Sequence, residues 1–140
     1  MYQIQGYRLW LGHVGDLRDP SLLHNLRIEA VVDLALNEPP ALLPREMIYC
    51  RIPLVVGAGN SPRRLWTAVE TVATHLRHNI RTLIVCGAGL SRSPAIAAAA
   101  VAKFSGCDLS EALAQVTADQ VADVSTALWA QLEEVLKAKR

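Results

Sequence analysis

The stretch LIVCGAGLSRSPA, residues 83–95, decides the predicted fold. Its first residues are apolar or β-branched and end at Cys86, a turn with two glycines follows, and a Ser-Pro pair opens an apolar run of helical length. A buried strand that leads through a tight turn into a helix is the building unit of parallel α/β sheets. Because ligands of such sheets bind at the carboxyl ends of the strands, we expect this turn to be a binding loop.

The same alternation of strands and helices runs along the whole chain. Strand patterns cover residues 7–11, 28–36, 47–54 and 82–86. The last three are apolar enough to be covered on both faces. Helical patterns cover residues 22–26, 62–78, 93–104, 110–116 and 126–139, with Asp19 and Ser61 as N-caps of the first two. We therefore predict one α/β domain over residues 1–140, with a central, mainly parallel sheet of about four to five strands flanked by helices.

Composition narrows the class of protein. Hydrophobic residues make up 51% of the chain and charged residues 19%, and the net charge is +1, which predicts a globular domain that binds neither nucleic acid nor membranes. The longest apolar run, residues 95–102, is too short to span a bilayer, and the N-terminus lacks a signal-peptide pattern. Three cysteines without a CxxC pair argue against disulfides and zinc and predict a cytoplasmic protein.

The binding loop has the residue types of an anion site. Gly87 and Gly89 allow successive backbone N–H groups to converge, and the N-terminus of the following helix adds further free N–H groups. The guanidinium of Arg92 matches two phosphate oxygens. A site that favours a bound anion also favours the thiolate of Cys86, which would then be a nucleophile aimed at phosphorus. If Cys86 were instead a buried structural cysteine and Arg92 a surface charge, the turn between them would not need two glycines.

The spacing of Cys86, five residues, Arg92 and then Ser93 resembles the signature loop of the cysteine-dependent protein phosphatases. The segments LWLGHVGD, AVVDLAL and YCRIPL make the rest of the chain similar to the small dual-specificity branch of that family. The resemblance covers most of the 140 residues.

The resemblance implies a role for each residue of the loop. Cys86 would attack phosphorus to form a phosphocysteine, and Ser93 would assist the departure of the thiolate when water hydrolyses it. Phosphate would be bound by the side chain of Arg92 and by the backbone N–H groups of the loop, which are those of Gly87, Ala88, Gly89, Leu90, Ser91 and Arg92. Such an enzyme needs no metal and no cofactor.

Two positions depart from the family pattern. Val85 stands where the family has a histidine that orders the loop, and Val56 stands where it has the aspartate that acts as general acid. No carboxylate occurs from residue 55 to residue 67. Because a general acid contributes about 10²–10⁴-fold, its loss predicts slow turnover of esters with poor leaving groups. A valine introduced to slow the enzyme would also explain position 56.

Four acids elsewhere are candidates for the missing proton donor. Asp33 lies in a buried strand and is expected to be a structural hydrogen-bond acceptor, whereas Glu38 follows that strand and is placed to reach the rim of the site. Asp119 and Asp123 lie in a loop after the signature helix. A carboxylate of this kind is more often a solvated surface charge than the general acid of a reaction.

Other polar residues also have expected positions in this fold. Asn60 is expected to face the pocket and position a water or a substrate oxygen. His75 and His78 are expected on the exposed side of a helix, and Cys50 as a buried thiol on a strand next to that of Cys86.

The sequence thus predicts a phosphatase of phosphotyrosine, phosphoserine, phosphothreonine or small phosphomonoesters. Its loop should also take phosphate, sulfate or vanadate. The alternative is a pseudophosphatase that binds phosphorylated protein without turnover; the retained Cys86 argues for the enzyme, because binding alone tolerates serine there. A sulfurtransferase of the rhodanese type fits less well, because its loop is usually shorter and Ser93 would have no task.

Overall fold

The computed structural model describes residues 1–88 and 90–139. The strands are β1 (Tyr2–Gln3), β2 (Leu9–His13), β3 (Ala30–Asp33), β4 (Ile48–Arg51) and β5 (Thr82–Cys86). The helices are α1 (Pro20–Asn25), α2 (Pro62–Arg77), α3 (Arg92–Ser105), α4 (Leu109–Val116) and α5 (Thr126–Ala138), and a 3-10 helix covers Val14–Arg18. Within the described ranges, no helix is both long enough and apolar enough to cross a membrane.

The strands form one sheet in the order β1-β2-β5-β3-β4. β1 pairs antiparallel with β2, and the remaining pairs are parallel. The predicted α/β fold with a mainly parallel sheet is therefore confirmed. β5 lies at the centre, so the residues that follow it emerge between the carboxyl ends of β2 and β3, where parallel sheets bind their ligands.

Two hydrophobic clusters cover the two faces of the sheet. α2, α3, α4 and α5 pack on one face, against side chains that include Leu11, Ile84 and Cys86. α1 and the 3-10 helix pack on the other face, together with Trp10 and Val85. Since successive side chains of a strand point to opposite faces, Val85 and Cys86 belong to different clusters.

The strand at the edge of the sheet is more exposed than predicted for residues 47–54. β4 is half-exposed because it has β3 on one side and no strand on the other. The prediction that this strand is covered on both faces is wrong. The next buried side chain along the chain is that of Leu54. Apolar composition alone does not distinguish an edge strand from a central one.

The ends of the helices follow the local sequence signals. Asp19 Oδ1 accepts a hydrogen bond from the N–H of Leu22, and Ser61 Oγ accepts one from the N–H of Arg64, which confirms both predicted N-caps. α3 begins at Arg92, one residue before the predicted Ser93, and ends at Gly106, whose φ is +80°. Glycine suits that left-handed position because it has no Cβ.

His75 is buried at the last turn of α2, so the prediction of an exposed histidine is wrong. Its Nδ1 lies 3.2 Å from Oγ1 of Thr82, the first residue of β5. Burial removes the ring from water and lowers the pKa of His75 from its usual value. His78, in contrast, is exposed as expected.

We expect this burial to make the protein less stable in mild acid. The unfolded chain protonates His75 below about pH 6.5, whereas the folded chain resists protonation until a lower pH, so stability falls as pH drops through that window. Urea unfolding at about pH 7.5 and about pH 5.5 measures the change. His75→Gln should reduce the difference between the free energies of unfolding at the two pH values, and His78→Gln should leave that difference unchanged. The same difference in both variants would contradict this explanation.

Candidate active site

The candidate loop connects the central strand to the most buried helix. Cys86 is the last residue of β5 and only 2% exposed. Cys86 pairs with His13 of β2. The preceding residue, Val85, pairs with Asp33 of β3. The predicted binding residues Gly87, Ala88, Leu90 and Ser91 lie between Cys86 and the start of α3, and Gly89 falls outside the described residues. Cys86, this loop and the first turn of α3 therefore share one end of the sheet.

Arg92 is held by the segments that follow β3 and β4. Its Nη1 donates to the carbonyl oxygen of Leu54 at 2.9 Å and to that of Leu34 at 3.4 Å. The remaining edge of the guanidinium lies towards the loop, since a β-carbon built on Gly87 would be 3.1 Å from Nη2. Nε is buried and has no hydrogen-bond partner among the described residues. An unpaired buried donor costs about 1–3 kcal/mol, which an anion bound at that edge would recover.

Ser93 carries the second unpaired group. Its Oγ is buried in the first turn of α3 and has no hydrogen-bond partner in residues 1–88 and 90–139. Buried hydroxyls are usually bonded, so the unpaired Oγ of Ser93 and the unpaired Nε of its neighbour Arg92 leave two groups with free hydrogen-bonding capacity at the start of α3.

The N-terminus of α3 is also left open. Ser91 is the N-cap residue, yet it makes no capping hydrogen bond to the helix, because its Oγ accepts from the N–H of Ser125 at 3.0 Å. The first N–H groups of a helix have no partner within the helix, and its dipole favours negative charge there. The first turn of α3 is therefore available to a phosphate group.

A distant segment supports the loop from outside. Besides the bond from Ser125, the N–H of Asp123 donates to the carbonyl oxygen of Leu90 at 2.8 Å. The side chains of Asp119 and Asp123 are exposed. Sequence analysis missed this support, because contacts between segments more than thirty residues apart leave no local pattern.

The two positions that depart from the family pattern differ in their surroundings. Val85 is fully buried among Val31, Leu83 and other apolar side chains, on the face of the sheet opposite to Cys86. Val56 is 49% exposed on the loop after β4. An acidic side chain at position 56 would meet water, whereas a histidine at position 85 would need space and a partner inside the core.

The loop that carries Val56 is held by Asn60. The side-chain amide of Asn60 accepts from the N–H of Val55 and donates to the carbonyl oxygens of Val55 and Gly57. Its backbone N–H and carbonyl bond to the side chain of Gln131 in α5. The expectation that Asn60 faces the pocket is wrong, because its amide is already used by the loop.

The structure separates the candidate acids. Asp33 is a structural acceptor as expected: Oδ1 accepts from the N–H of Ala35, and Oδ2 accepts from the Tyr49 hydroxyl at 2.7 Å. Burial, and to a lesser degree this contact, raises the pKa of Tyr49. Glu38 lies at the loop, since its Oε1 would be 3.2 Å from a β-carbon on Gly87. Of the four acids, Glu38 has its carboxyl group beside the backbone of the loop.

The other two cysteines lie away from this site. Cys50 is in β4, and β3 separates that strand from β5, so the prediction that Cys50 is on a strand next to that of Cys86 is wrong. Cys50 is half-buried, and burial raises its pKa. Cys107 follows the far end of α3.

Comparison with known proteins rests on structure alone, because no protein-family model and no curated sequence matches this chain. The crystal structure of human DUSP28 matches with a TM-score of 0.83 at 20% sequence identity, covering 96% of this chain and 97% of that chain. The fold is that of the dual-specificity phosphatases. Residues 82–105, with the loop and α3, thus belong to a phosphatase-like architecture rather than to a different α/β arrangement.

Two further solved structures bear on the site. A mouse protein assigned as a dual specificity phosphatase and complexed with zinc tungstate matches with a TM-score of 0.82 at 22% identity, over 94% of this chain and 83% of that chain. A human tyrosine phosphatase-like serine/threonine/tyrosine-interacting protein matches with a TM-score of 0.80 at 18% identity, over 94% of this chain and 92% of that chain. The fold is therefore shared by proteins described in different functional terms.

Proposed function

We propose that this chain is a single catalytic domain that hydrolyses phosphomonoesters through a phosphocysteine at Cys86. The observation that carries the proposal is the pair of unpaired buried groups, Arg92 Nε and Ser93 Oγ, at the start of the helix that follows Cys86 and its loop. An ester phosphate in the loop would accept from Arg92, and the hydroxyl of Ser93 would donate to the sulfur.

Each group has a task in the two steps. In the first, the thiolate of Cys86 attacks phosphorus, and the bond from phosphorus to the alcohol or phenol oxygen breaks. In the second, water attacks the phosphocysteine and the electron pair of the S–P bond returns to sulfur, where the Ser93 hydroxyl stabilises the leaving thiolate. Arg92 and the N–H groups of the loop and of α3 stabilise the negative charge on the phosphoryl oxygens in both transition states.

The proposed substrates are phosphorylated proteins carrying phosphotyrosine, phosphoserine or phosphothreonine, and small phosphomonoesters. The described loop residues include no lysine, which disfavours ligands with several phosphate groups. Tungstate, bound by the mouse protein of the same fold, is a tetrahedral oxyanion that the loop of this chain should also take. A reducing compartment such as the cytoplasm suits an enzyme that depends on a free thiol.

A pseudophosphatase remains the second candidate function, and Val56 is the observation that favours it. With a valine where the family has its acid, the loop after β4 offers no proton to a leaving group. Such a protein would bind phosphorylated protein in the loop and leave the ester intact. A phosphotyrosine peptide that binds but is not hydrolysed, together with an inert p-nitrophenyl phosphate, would establish this function instead.

Alkylation by iodoacetate tests the proposed thiolate. We expect Cys86 to react before Cys50 and Cys107, because the proposed loop attracts the anionic reagent, whereas burial raises the pKa of Cys50. Peptide mass spectrometry identifies the modified cysteine, and hydrolysis of p-nitrophenyl phosphate should be lost in proportion to modification of Cys86.

Phosphate provides the control for this experiment. Added phosphate should slow alkylation of Cys86 and leave the rate at Cys107 unchanged, because only the first thiol lies at the anion site. Faster reaction at Cys107, or a rate at Cys86 that phosphate does not alter, would contradict the proposed site.

A further inference from the structure

We infer that Glu38 is the proton donor that replaces the missing aspartate in the proposed reaction. A β-carbon built on Gly87 would lie 3.2 Å from Glu38 Oε1 and 3.1 Å from Arg92 Nη2. The carboxyl group and the phosphate-binding guanidinium therefore border the same small space above the loop. A carboxyl group there is within reach of an ester oxygen on a phosphate held by Arg92.

The backbone that carries Glu38 is fixed on both sides of the residue. The carbonyl oxygen of Glu38 accepts from Arg51 Nη2 at 3.2 Å, and two prolines, Pro39 and Pro40, restrict the chain that follows. On the N-terminal side, Leu34 bonds through its N–H to Val85 and through its carbonyl to Arg92. Glu38 thus enters the site from a segment anchored to the residues that form it.

No other candidate acid is placed in this way. Both carboxylate oxygens of Asp33 accept hydrogen bonds from protein groups, so Asp33 is committed to the structure. Asp123 contacts the loop through its backbone N–H, and its side chain is exposed. The side chain of Val56 has no ionisable proton. Among the candidate acids, Glu38 is therefore the one whose carboxyl group lies beside the loop.

A carboxylate next to an anion site has a chemical consequence. The proposed role requires Glu38 to hold a proton when the ester binds, because a carboxylate at this place would repel the phosphoryl oxygens. As the thiolate of Cys86 forms the S–P bond and the P–O bond breaks, that proton moves to the leaving oxygen. In the second step Glu38 takes a proton from the attacking water, which restores its starting state.

Leaving-group dependence tests the role, which rests on the proposed phosphatase function. Glu38→Gln should lower kcat for phenyl phosphate by about 10²–10⁴-fold, because phenolate departs poorly without a proton. Turnover of p-nitrophenyl phosphate should change little, because p-nitrophenolate departs readily unprotonated. Glu46→Gln, the same amide replacement at an exposed glutamate outside the site, is the matched control and should leave both rates unchanged.

Tungstate binding by calorimetry separates the possible failures. Glu38→Gln should bind tungstate at least as tightly as the wild type, because a negative charge beside the anion is removed. Equal loss of both hydrolysis rates, unchanged rates, or a variant that no longer binds tungstate would overturn the role of Glu38. A wild type that neither binds tungstate nor hydrolyses either ester would instead overturn the proposed function itself.

Discussion

Replacing Cys86 with serine is expected to lower the hydrolysis of p-nitrophenyl phosphate by about 10⁵–10⁶-fold, the scale seen when a nucleophile is removed from an enzyme. A serine hydroxyl keeps its proton at neutral pH and cannot form the S–P bond. The backbone of the loop and Arg92 remain, so the variant should still bind tungstate and a phosphotyrosine peptide. Steady-state kinetics and calorimetry measure the two properties separately.

Cys50→Ser is the matched control for this substitution. It replaces a half-buried thiol on β4 and should leave turnover unchanged. Because Cys86 is buried, Cys86→Ala serves as a second variant that introduces no new hydroxyl into the core. Turnover that persists in both Cys86 variants would place the chemistry elsewhere; binding lost from both would mean that the thiol shapes the loop.

Arg92→Ala is expected to remove both hydrolysis and oxyanion binding. One lost donor in an oxyanion site costs about 10²–10³-fold in kcat, and Arg92 also supplies the charge of the site. The substitution removes the bond from Arg92 to the carbonyl oxygen of Leu54, whereas that of Leu34 keeps the N–H of Leu54 as a donor, so some loss of stability should accompany it. Kinetics, tungstate calorimetry and urea unfolding follow the three effects.

Arg92→Lys distinguishes charge from geometry. Lysine retains the positive charge but cannot bond the two carbonyls and present a planar edge to phosphate at the same time. We expect it to recover tungstate binding in part and hydrolysis less. Arg77→Ala, at the end of α2, is a control with no expected effect on either property. Tungstate affinity that Arg92→Ala leaves intact would contradict the assignment of the site.

Much of the fold follows from local sequence. The run TLIVC forms β5 over the predicted residues, because a β-branched, apolar segment of strand length has few alternatives in a compact domain. Asp19 and Ser61 cap their helices as predicted, since an N-cap bonds only to residues two or three positions later. The Cys86 to Arg92 spacing similarly locates the loop, which is a continuous stretch of chain.

The features that sequence analysis missed depend on distant contacts. Nothing near Asn60 predicts that Gln131 will bind its backbone, and nothing near His75 predicts that Thr82 will cover it. β1 has only two residues, too few to show a periodic pattern, and exists because β2 lies beside it. The sequence did place Glu38 at the rim of the site, but its approach to Gly87 is set by the turn after β3 rather than by spacing along the chain.

The positions of the three cysteines bear on how such an enzyme would respond to oxidants. A thiolate is readily oxidised to a sulfenic acid, which a nearby second thiol can capture as a disulfide. Cys50 is two strands away from Cys86, and Cys107 lies beyond a helix of about 20 Å, both farther than a disulfide spans. Oxidised Cys86 would thus not be protected by a disulfide to either of the other two cysteines, and a small external thiol such as glutathione would be the partner for a mixed disulfide.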